Sequence, residues 1–236
     1  MRVAAIVPSA GKGTRIKSRI EKPYIKINGK PILARTLLRL SHNSNIKEII
    51  IAVSPNRVRR AQRDIINRYG IRNAKVVRGG KERIDSVARA LESVSPDIGY
   101  VLIHDGIRPF IDDALINACL KAAMKFGAAV AGVPVKPTLK ITGKDGRINH
   151  TPDRRDFWEA QTPQVFKRDL IEKAYKKFYK RDINITDDSM LVEMMGIRPK
   201  IIMGSYSNIK ITTREDLELA KLLLKNPNDK IQNSKK

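Results

Sequence analysis

The chain has 236 residues, of which 42% are hydrophobic and 30% charged, so it can bury a core, is not generally disordered, and has the length of one domain rather than two with a linker. Its 47 basic and 24 acidic residues give a formal charge of +23, and residues 1–80 alone hold 19 basic and 3 acidic residues. Such a field draws anions, whether nucleic acid, acidic membrane or phosphorylated small molecules, and composition does not choose among them.

In chain order, the apolar stretch Val3–Val7 predicts the first strand. With only Arg2 before it, it is too short for a signal peptide or a membrane span, which predicts a soluble protein with no membrane partner. It runs into Pro8-Ser9-Ala10-Gly11-Lys12-Gly13-Thr14-Arg15, followed by more basic residues at Lys17, Arg19 and Lys22. Glycines let backbone amides approach a phosphate, and lysine and arginine add charge. No Gly-Lys pair here precedes Ser or Thr, and Ile16 replaces the third glycine of the dinucleotide fingerprint, so two familiar phosphate loops are excluded. A phosphate cradle and a plain strand-to-helix turn both remain open on this loop by itself.

Glu48–Val53 predicts a second strand, after which Ser54 and Pro55 open a helix as cap and first residue. Lys75–Val77 predicts a third strand leading into Gly79-Gly80-Lys81-Glu82-Arg83-Ile84-Asp85-Ser86. In the helix that follows, Ile84, Val87, Ala88, Leu91 and Val94 keep the 3.6-residue period, with Ser86 in its first turn. Amides there can read a base edge, or the segment is a helix entry with surface ion pairs. Tyr100–Ile103 predicts a fourth strand, and His104-Asp105-Gly106-Ile107-Arg108-Pro109 falls at its carboxyl end, where open α/β sheets bind ligands. Asp105 there can hold Mg²⁺, which takes one or two carboxylates and otherwise phosphate oxygens and waters, or it caps a turn with Arg108 as its surface partner. No second histidine or cysteine is spaced to join His104, which is read as packing or orienting; His42 and His150 are assigned to the surface. Cys119, the only cysteine, lies in an apolar helical pattern, so neither a disulfide framework nor a cysteine zinc cluster is possible, and a cytoplasmic location fits. Ala128–Val133 is the fifth strand, and strands alternating with helices predict an α/β fold around a mostly parallel sheet.

From Pro134 to about Asp156, three prolines, two glycines and mixed charge break this pattern. Thr138–Thr142 and Arg147–Thr151 read as short strands of a projecting hairpin, with Trp158 anchoring its base. Helices are predicted at Arg168–Lys180 and Asp187–Met195, a strand pair at Lys200–Met203 and Asn208–Thr212, and a last helix capped by Thr213. Residues 1–225 form one domain on this reading, and 226–236 a mobile basic tail.

Taken together, PSAGKGTR, EKPY, GGKERIDSV, HDGIRPF, PVKPTLK, DRRDFWEAQTPQVF, ITDDS and NIKITT make the sequence resemble the 2-C-methyl-D-erythritol 4-phosphate cytidylyltransferases of non-mevalonate isoprenoid biosynthesis, from about Val3 to Lys221. The resemblance implies a Rossmann-like, nucleotidyltransferase type of α/β fold whose hairpin arm serves dimerisation. It implies transfer of a cytidylyl group from CTP to the polyol phosphate with release of pyrophosphate, using Mg²⁺, in a homodimer with an exchanged arm. Carried over by position, Pro8, Ser9, Ala10, Gly11 and Gly13 wrap the CTP phosphates, Arg15 and Lys22 stabilise the transition state, Gly80, Lys81 and Ser86 read the base, and Asp105 binds the metal and CTP. The acceptor contacts fall on Gly106, Arg108, Thr138, Arg154, Thr162, Thr186 and Lys210, with Arg154 and Thr162 resembling residues delivered by a partner subunit. Pro137 and Lys81 depart from the family pattern, each standing where an acid is common. A pentitol-phosphate cytidylyltransferase shares the CTP half and is the nearest rival. A nucleic-acid-binding protein is the rival of another class, but aromatics are only 5% of the chain and do not interleave with basic residues, so no specific nucleic-acid partner is expected.

Overall fold

The computed structural model describes residues 1–11, 21–179 and 183–225. Lys12, Gly13 and Arg15 of the glycine loop, Lys180 at the end of a predicted helix, and the predicted tail 226–236 lie outside the described residues.

The chain order is β1 (Val3–Pro8), a short 3₁₀ turn (Lys22–Tyr24), β2 (Lys26–Ile27), β3 (Lys30–Pro31), α1 (Ile32–His42), β4 (Ile46–Val53), α2 (Val58–Ala61), β5 (Ala74–Arg78), α3 (Arg83–Leu91), β6 (Tyr100–Ile103), α4 (Asp113–Phe126) and β7 (Ala128–Pro134). It continues with β8 (Ile141–Thr142), β9 (Ile148–His150), β10 (Trp158–Lys167), α5 (Arg168–Phe178), α6 (Asp188–Glu193), β11 (Lys200–Met203) and α7 (Arg214–Leu223). Among the described residues seven strands form one sheet in the order β11-β7-β10-β6-β1-β4-β5. The pairs β1–β4, β1–β6, β4–β5 and β7–β11 are parallel, whereas β10 runs antiparallel to both neighbours.

Side chains of a strand alternate between faces, and a sheet covered on both faces needs apolar residues at every position. β1 meets this with Val3, Ala5 and Val7 in one cluster and Ala4 and Ile6 in the other. The first cluster is covered by Leu33, Leu37 and Leu40 of α1 and by Ile116, Cys119 and Leu120 of α4. The second is covered by Val87 and Ala90 of α3, by Ile171 and Ala174 of α5, and by Leu191 and Val192 of α6. Each fully buried aliphatic or aromatic side chain of this size contributes about 1.5–3 kcal/mol, so the three layers hold together chiefly by apolar burial. A smaller cluster of Ile27, Ile32, Ile211 and Ala220 seats α7 on the β2–β3 hairpin.

Because β1, β4, β5 and β6 are mutually parallel, their ends at Pro8, Val53, Arg78 and Ile103 open on the same edge of the sheet. β10 reaches that edge with its first half, and β7 and β11 with their last residues. This geometry is what gathers the loops of the site.

The structure corrects three sequence-based expectations. β10, the longest strand, was not predicted, because Thr162-Pro163 interrupts its pattern and its pairing with β7 is broken between Ala160 and Gln164. Asn208–Thr212 is not a strand; it is held by Asn208 inside the structure and by the Ile211 amide donating to the Ile107 carbonyl at 3.0 Å. Ser54 makes no capping hydrogen bond to the turn that Pro55 starts, and its hydroxyl donates instead to the Ala10 carbonyl at 3.0 Å, tying the glycine loop to the end of β4. The segment after it is a 3₁₀ turn, one α-helical turn and a wide π turn over Gln62–Asn67 rather than one regular helix. The arm at residues 134–156 is a projecting hairpin, with strands shorter than expected and residues from Lys136 to Asp156 mostly exposed. Trp158 stands at its base, paired with Pro134.

Candidate active site

A cleft of ≈ 290 Å³ lies at the carboxyl edge, lined by Pro8, Ser9, Ala10 and Gly11 after β1, by Lys22, by Lys81, Glu82, Arg83 and Ser86 at the start of α3, by Asp105 after β6, and by Lys210 and Thr212. Four of these are basic, Lys22, Lys81, Arg83 and Lys210, which suits a polyanion.

The glycines of the motifs are needed for close approach. A Cβ on Gly106 would sit 2.1 Å from Ser9 Oγ and 3.0 Å from Leu33 Cδ1, and one on Gly80 would sit 2.0 Å from Asp85 Cβ. The loop before α3 is drawn in by a reciprocal cap: Glu82 and Asp85 each accept from the other's backbone amide. Ser86 Oγ accepts from the Gly80 amide at 3.1 Å and donates to the Glu82 carbonyl at 3.1 Å, so this buried hydroxyl holds the loop in shape.

Asp105 is the electrostatic centre. Its Oδ1 lies 3.0 Å from Arg83 Nε, and its Oδ2 lies 2.9 Å from Lys210 Nζ and 3.6 Å from Arg108 Nε. Burial opposes its charge, but Arg83, Lys210 and Arg108 outweigh burial and hold the carboxyl far below the usual carboxylate range. Arg108 is buried, not the surface partner a simple capped turn would have, and donates to the Asn208 carbonyl at 2.7 Å.

His104 is fully buried. Its Nε2 lies 2.9 Å from the Arg108 carbonyl and its Nδ1 3.0 Å from Thr162 Oγ1, while the Asp105 amide donates to that same hydroxyl at 3.1 Å. A carbonyl can only accept, so Nε2 carries the proton, Nδ1 accepts from Thr162, and the Thr162 oxygen accepts from Asp105. Burial lowers the His104 pKa to about 4, against the smaller opposing effects of the Arg108 carbonyl and Asp105. The ring is therefore a neutral brace, as its sequence context suggested. Thr162 is buried within its own chain's site by these contacts, which corrects its expected delivery by a partner subunit.

The structure thus brings together Pro8, Ser9, Ala10, Gly11, Lys22, Gly80, Lys81, Ser86, Asp105, Gly106, Arg108, Thr162 and Lys210. It does not bring in Thr138 and Arg154, which lie exposed on the arm, the latter donating to the Lys136 carbonyl. Thr186 is exposed in a shallow recess beside Arg83. Two residues that sequence reasoning passed over join the site: Arg83, inside GGKERIDSV, and Asp188, inside ITDDS, which is 2.7 Å from Arg83. Both lay within the quoted motifs, but only their convergence marks them.

Among the described residues no three or more His, Cys, Asp or Glu side chains are grouped to hold a metal ion. Asp105 fits Mg²⁺ nonetheless, since that ion takes most of its ligands from phosphate and water. Oδ2 already attracts a cation, Lys210, whose side chain is 39% exposed and free to yield the position. Among the described residues no helix is long and apolar enough to cross a membrane.

A doubly covered α/β sheet with a glycine loop, convergent cations and the buried carboxylates Asp105 and Asp188 at its carboxyl edge defines a nucleotide-handling enzyme of the nucleotidyltransferase type. The family model for 2-C-methyl-D-erythritol 4-phosphate cytidylyltransferase matches residues 3–226. The Clostridioides difficile enzyme of that name is 43% identical over 221 residues, 94% of this chain and 93% of its own, and that of Caldanaerobacter subterraneus 42% identical over 226 residues, 95% of this chain and all of its own. The crystal structure of 4-diphosphocytidyl-2C-methyl-D-erythritol synthase from Anaerococcus prevotii superposes with a TM-score of 0.85 at 34% identity, covering 95% of this chain and 96% of that one. The chain belongs to the 2-C-methyl-D-erythritol 4-phosphate cytidylyltransferase family, and is a cytidylyltransferase.

Proposed function

We propose that the chain joins CTP and 2-C-methyl-D-erythritol 4-phosphate at this cleft, giving 4-diphosphocytidyl-2-C-methyl-D-erythritol and pyrophosphate for isoprenoid precursor synthesis. The activity is that of its family. The observation that carries the residue roles is the meeting of the glycine loop, Lys22 and the Asp105–Lys210–Arg83 cluster in one cleft.

In the reaction a phosphate oxygen of the acceptor attacks the α-phosphorus of CTP, and the bond from that phosphorus to the oxygen bridging to the β-phosphate breaks, releasing pyrophosphate. Two anions must meet, so positioning and charge neutralisation supply the rate. Pro8, Ser9, Ala10, Gly11 and Gly13 hold the triphosphate, Arg15 and Lys22 stabilise the charge that builds on it, and Gly80 and Lys81 face the base, on a loop that Ser86 braces. Gly106, Arg108, Thr162, Thr186 and Lys210 serve the acceptor side. An acceptor phosphate is already ionised near neutral pH, so no general base is required, and His104 is spared for bracing.

Asp105 would hold Mg²⁺, whose chemistry when bound is neutralisation of the CTP phosphate oxygens. The active form is a homodimer in which the arm brings Thr138 and Arg154 to the partner's acceptor. The exposure of Ile141, Ile148 and Phe157 on and beside this small hairpin supports a partner surface there, because an isolated two-stranded hairpin buries too little to order itself. The enzyme acts in the cytoplasm, with no membrane partner, and its basic surface binds nucleic acid only without sequence preference.

The test runs the four nucleoside triphosphates against methylerythritol phosphate and ribitol 5-phosphate. The expected product forms from CTP and methylerythritol phosphate, and a preference for ribitol phosphate or for another triphosphate overturns the reading.

A further inference from the structure

Asp188 opens α6, where Asp187 caps the helix by accepting from the Met190 amide at 3.0 Å. The Asp188 side chain turns inward and is 1% exposed. Its Oδ1 accepts from the Tyr175 hydroxyl at 2.6 Å, and its Oδ2 lies 2.7 Å from Arg83 Nη1. Arg83 in turn presents Nε to Asp105 Oδ1 at 3.0 Å. A chain of contacts thus runs from α5 through α6 and α3 to the carboxylate after β6.

We infer that Asp188 is a positioning residue for cytidylyl transfer: through Arg83 it pins one oxygen of Asp105 and leaves the other as the exchangeable oxygen of the cleft. The inference rests on the reading that Asp105 serves CTP. A guanidinium is a planar fork, and its Nε and Nη1 point to different sides, so it satisfies two carboxylates in one orientation only. Asp188 Oδ2 draws Nη1 as an ion pair without a hydrogen bond between them, while Nε donates to Asp105 Oδ1, so the guanidinium is held between the two carboxylates and Oδ1 is committed. What remains is Oδ2, shared by Arg108 and the half-exposed Lys210. Asp188 also matters to charge. Contacts of 2.7–3.6 Å link two carboxylates and three cations in one chain, Asp188 touching Arg83 and Asp105 touching Arg83, Arg108 and Lys210, and without Asp188 the three cations would face Asp105 alone. Tyr175 completes the arrangement as a lasting donor, since burial first and the Asp188 charge second push its phenol well above the ordinary value.

Other buried polar groups argue against Asp188 being a mere helix end. Asp187 already caps α6, and Gln164 Nε2 donates to Asp187 at 2.7 Å, so the helix is anchored without Asp188.

The experiment is a double-mutant cycle read as kcat and KM on folded protein, its integrity checked by thermal unfolding. Asp188→Asn is expected to lower kcat by roughly tenfold or more, with the KM for CTP changed by less than about threefold, since a misaimed group costs rate before binding. In an Asp105→Asn background the same change should add less than about threefold, because it acts through Asp105. Arg83→Lys keeps a charge that cannot serve both carboxylates, and Asp188→Asn should likewise add little to it. If Asp188→Asn by itself unfolds, Arg83→Lys carries the test, with the same fall in kcat at little-changed KM expected and less than about threefold further loss in an Asp105→Asn background. If Asp188→Asn leaves kcat within twofold, or its loss multiplies with that of Asp105→Asn or Arg83→Lys, the inference is overturned. If Asp105→Asn itself retains full turnover, it is the reading of Asp105 that fails.

Discussion

Replacing His104 by Gln removes a titrating group from the floor of the site while keeping an amide that can donate to the Arg108 carbonyl. The native ring has its pKa lowered from 6.5 to about 4 by burial. The folded state therefore favours the neutral form, and the resulting stability is fully present above about pH 6.5 and is lost as pH falls towards 4. At about 1.4 kcal/mol per pH unit, that window is worth about 3 kcal/mol. The variant lacks this loss. It should start about 1–3 kcal/mol less stable near neutrality, because a glutamine amide placed to donate to the Arg108 carbonyl leaves no acceptor at the Nδ1 position that faces Thr162, and should draw level with or pass the native protein near pH 4. Urea unfolding across this range measures both, and surface carboxylates titrate in both proteins and cancel in the difference. Parallel curves for the two proteins would refute the buried, neutral His104. The same reasoning expects no inflection from His104 in the neutral limb of the kcat/KM profile.

Lys22→Ala and Arg15→Ala should each lower turnover at saturating CTP by roughly a hundredfold or more, about 3 kcal/mol of barrier; a change confined to KM would mean ground-state binding only. Gly106→Ala forces a Cβ to within 2.1 Å of Ser9 Oγ, and should destabilise by about 1–3 kcal/mol in thermal or urea unfolding and raise the KM for CTP by shifting the loop; an unchanged KM would separate Gly106 from the phosphate loop. Arg154→Ala and Lys22→Ala homodimers should each be nearly inactive, yet after complete subunit exchange, checked with a tagged chain, the mixture should recover about a quarter of native activity, because half the dimers place both defects in one site. Failure to recover would refute the exchanged arm.

The α/β class, six of the seven strands of the main sheet and the location of the site were legible because doubly covered parallel strands demand unbroken apolar runs, as in Val3–Val7 and Tyr100–Ile103, and because glycine turns punctuate their ends. The ordered motifs then identified the family. β10 escaped because its edge-side half, Trp158 to Pro163, carries polar residues that face a site rather than a core, and periodicity cannot see such a reason. The fold-level placement of Asp105 was read from strand order, but its partners were not: Arg83, Arg108 and Lys210 lie 22, 3 and 105 positions from it and meet only because separate strand ends open on one edge. The amino-acid sequence by itself determined the class, the core faces, the charge and the family. Which hydroxyl braces the imidazole, which arginine is shared between two carboxylates and which side chains stay on the exposed arm were decided by tertiary structure, since hydrogen bonds and ion pairs depend on ångström-scale distances between segments that local sequence leaves free.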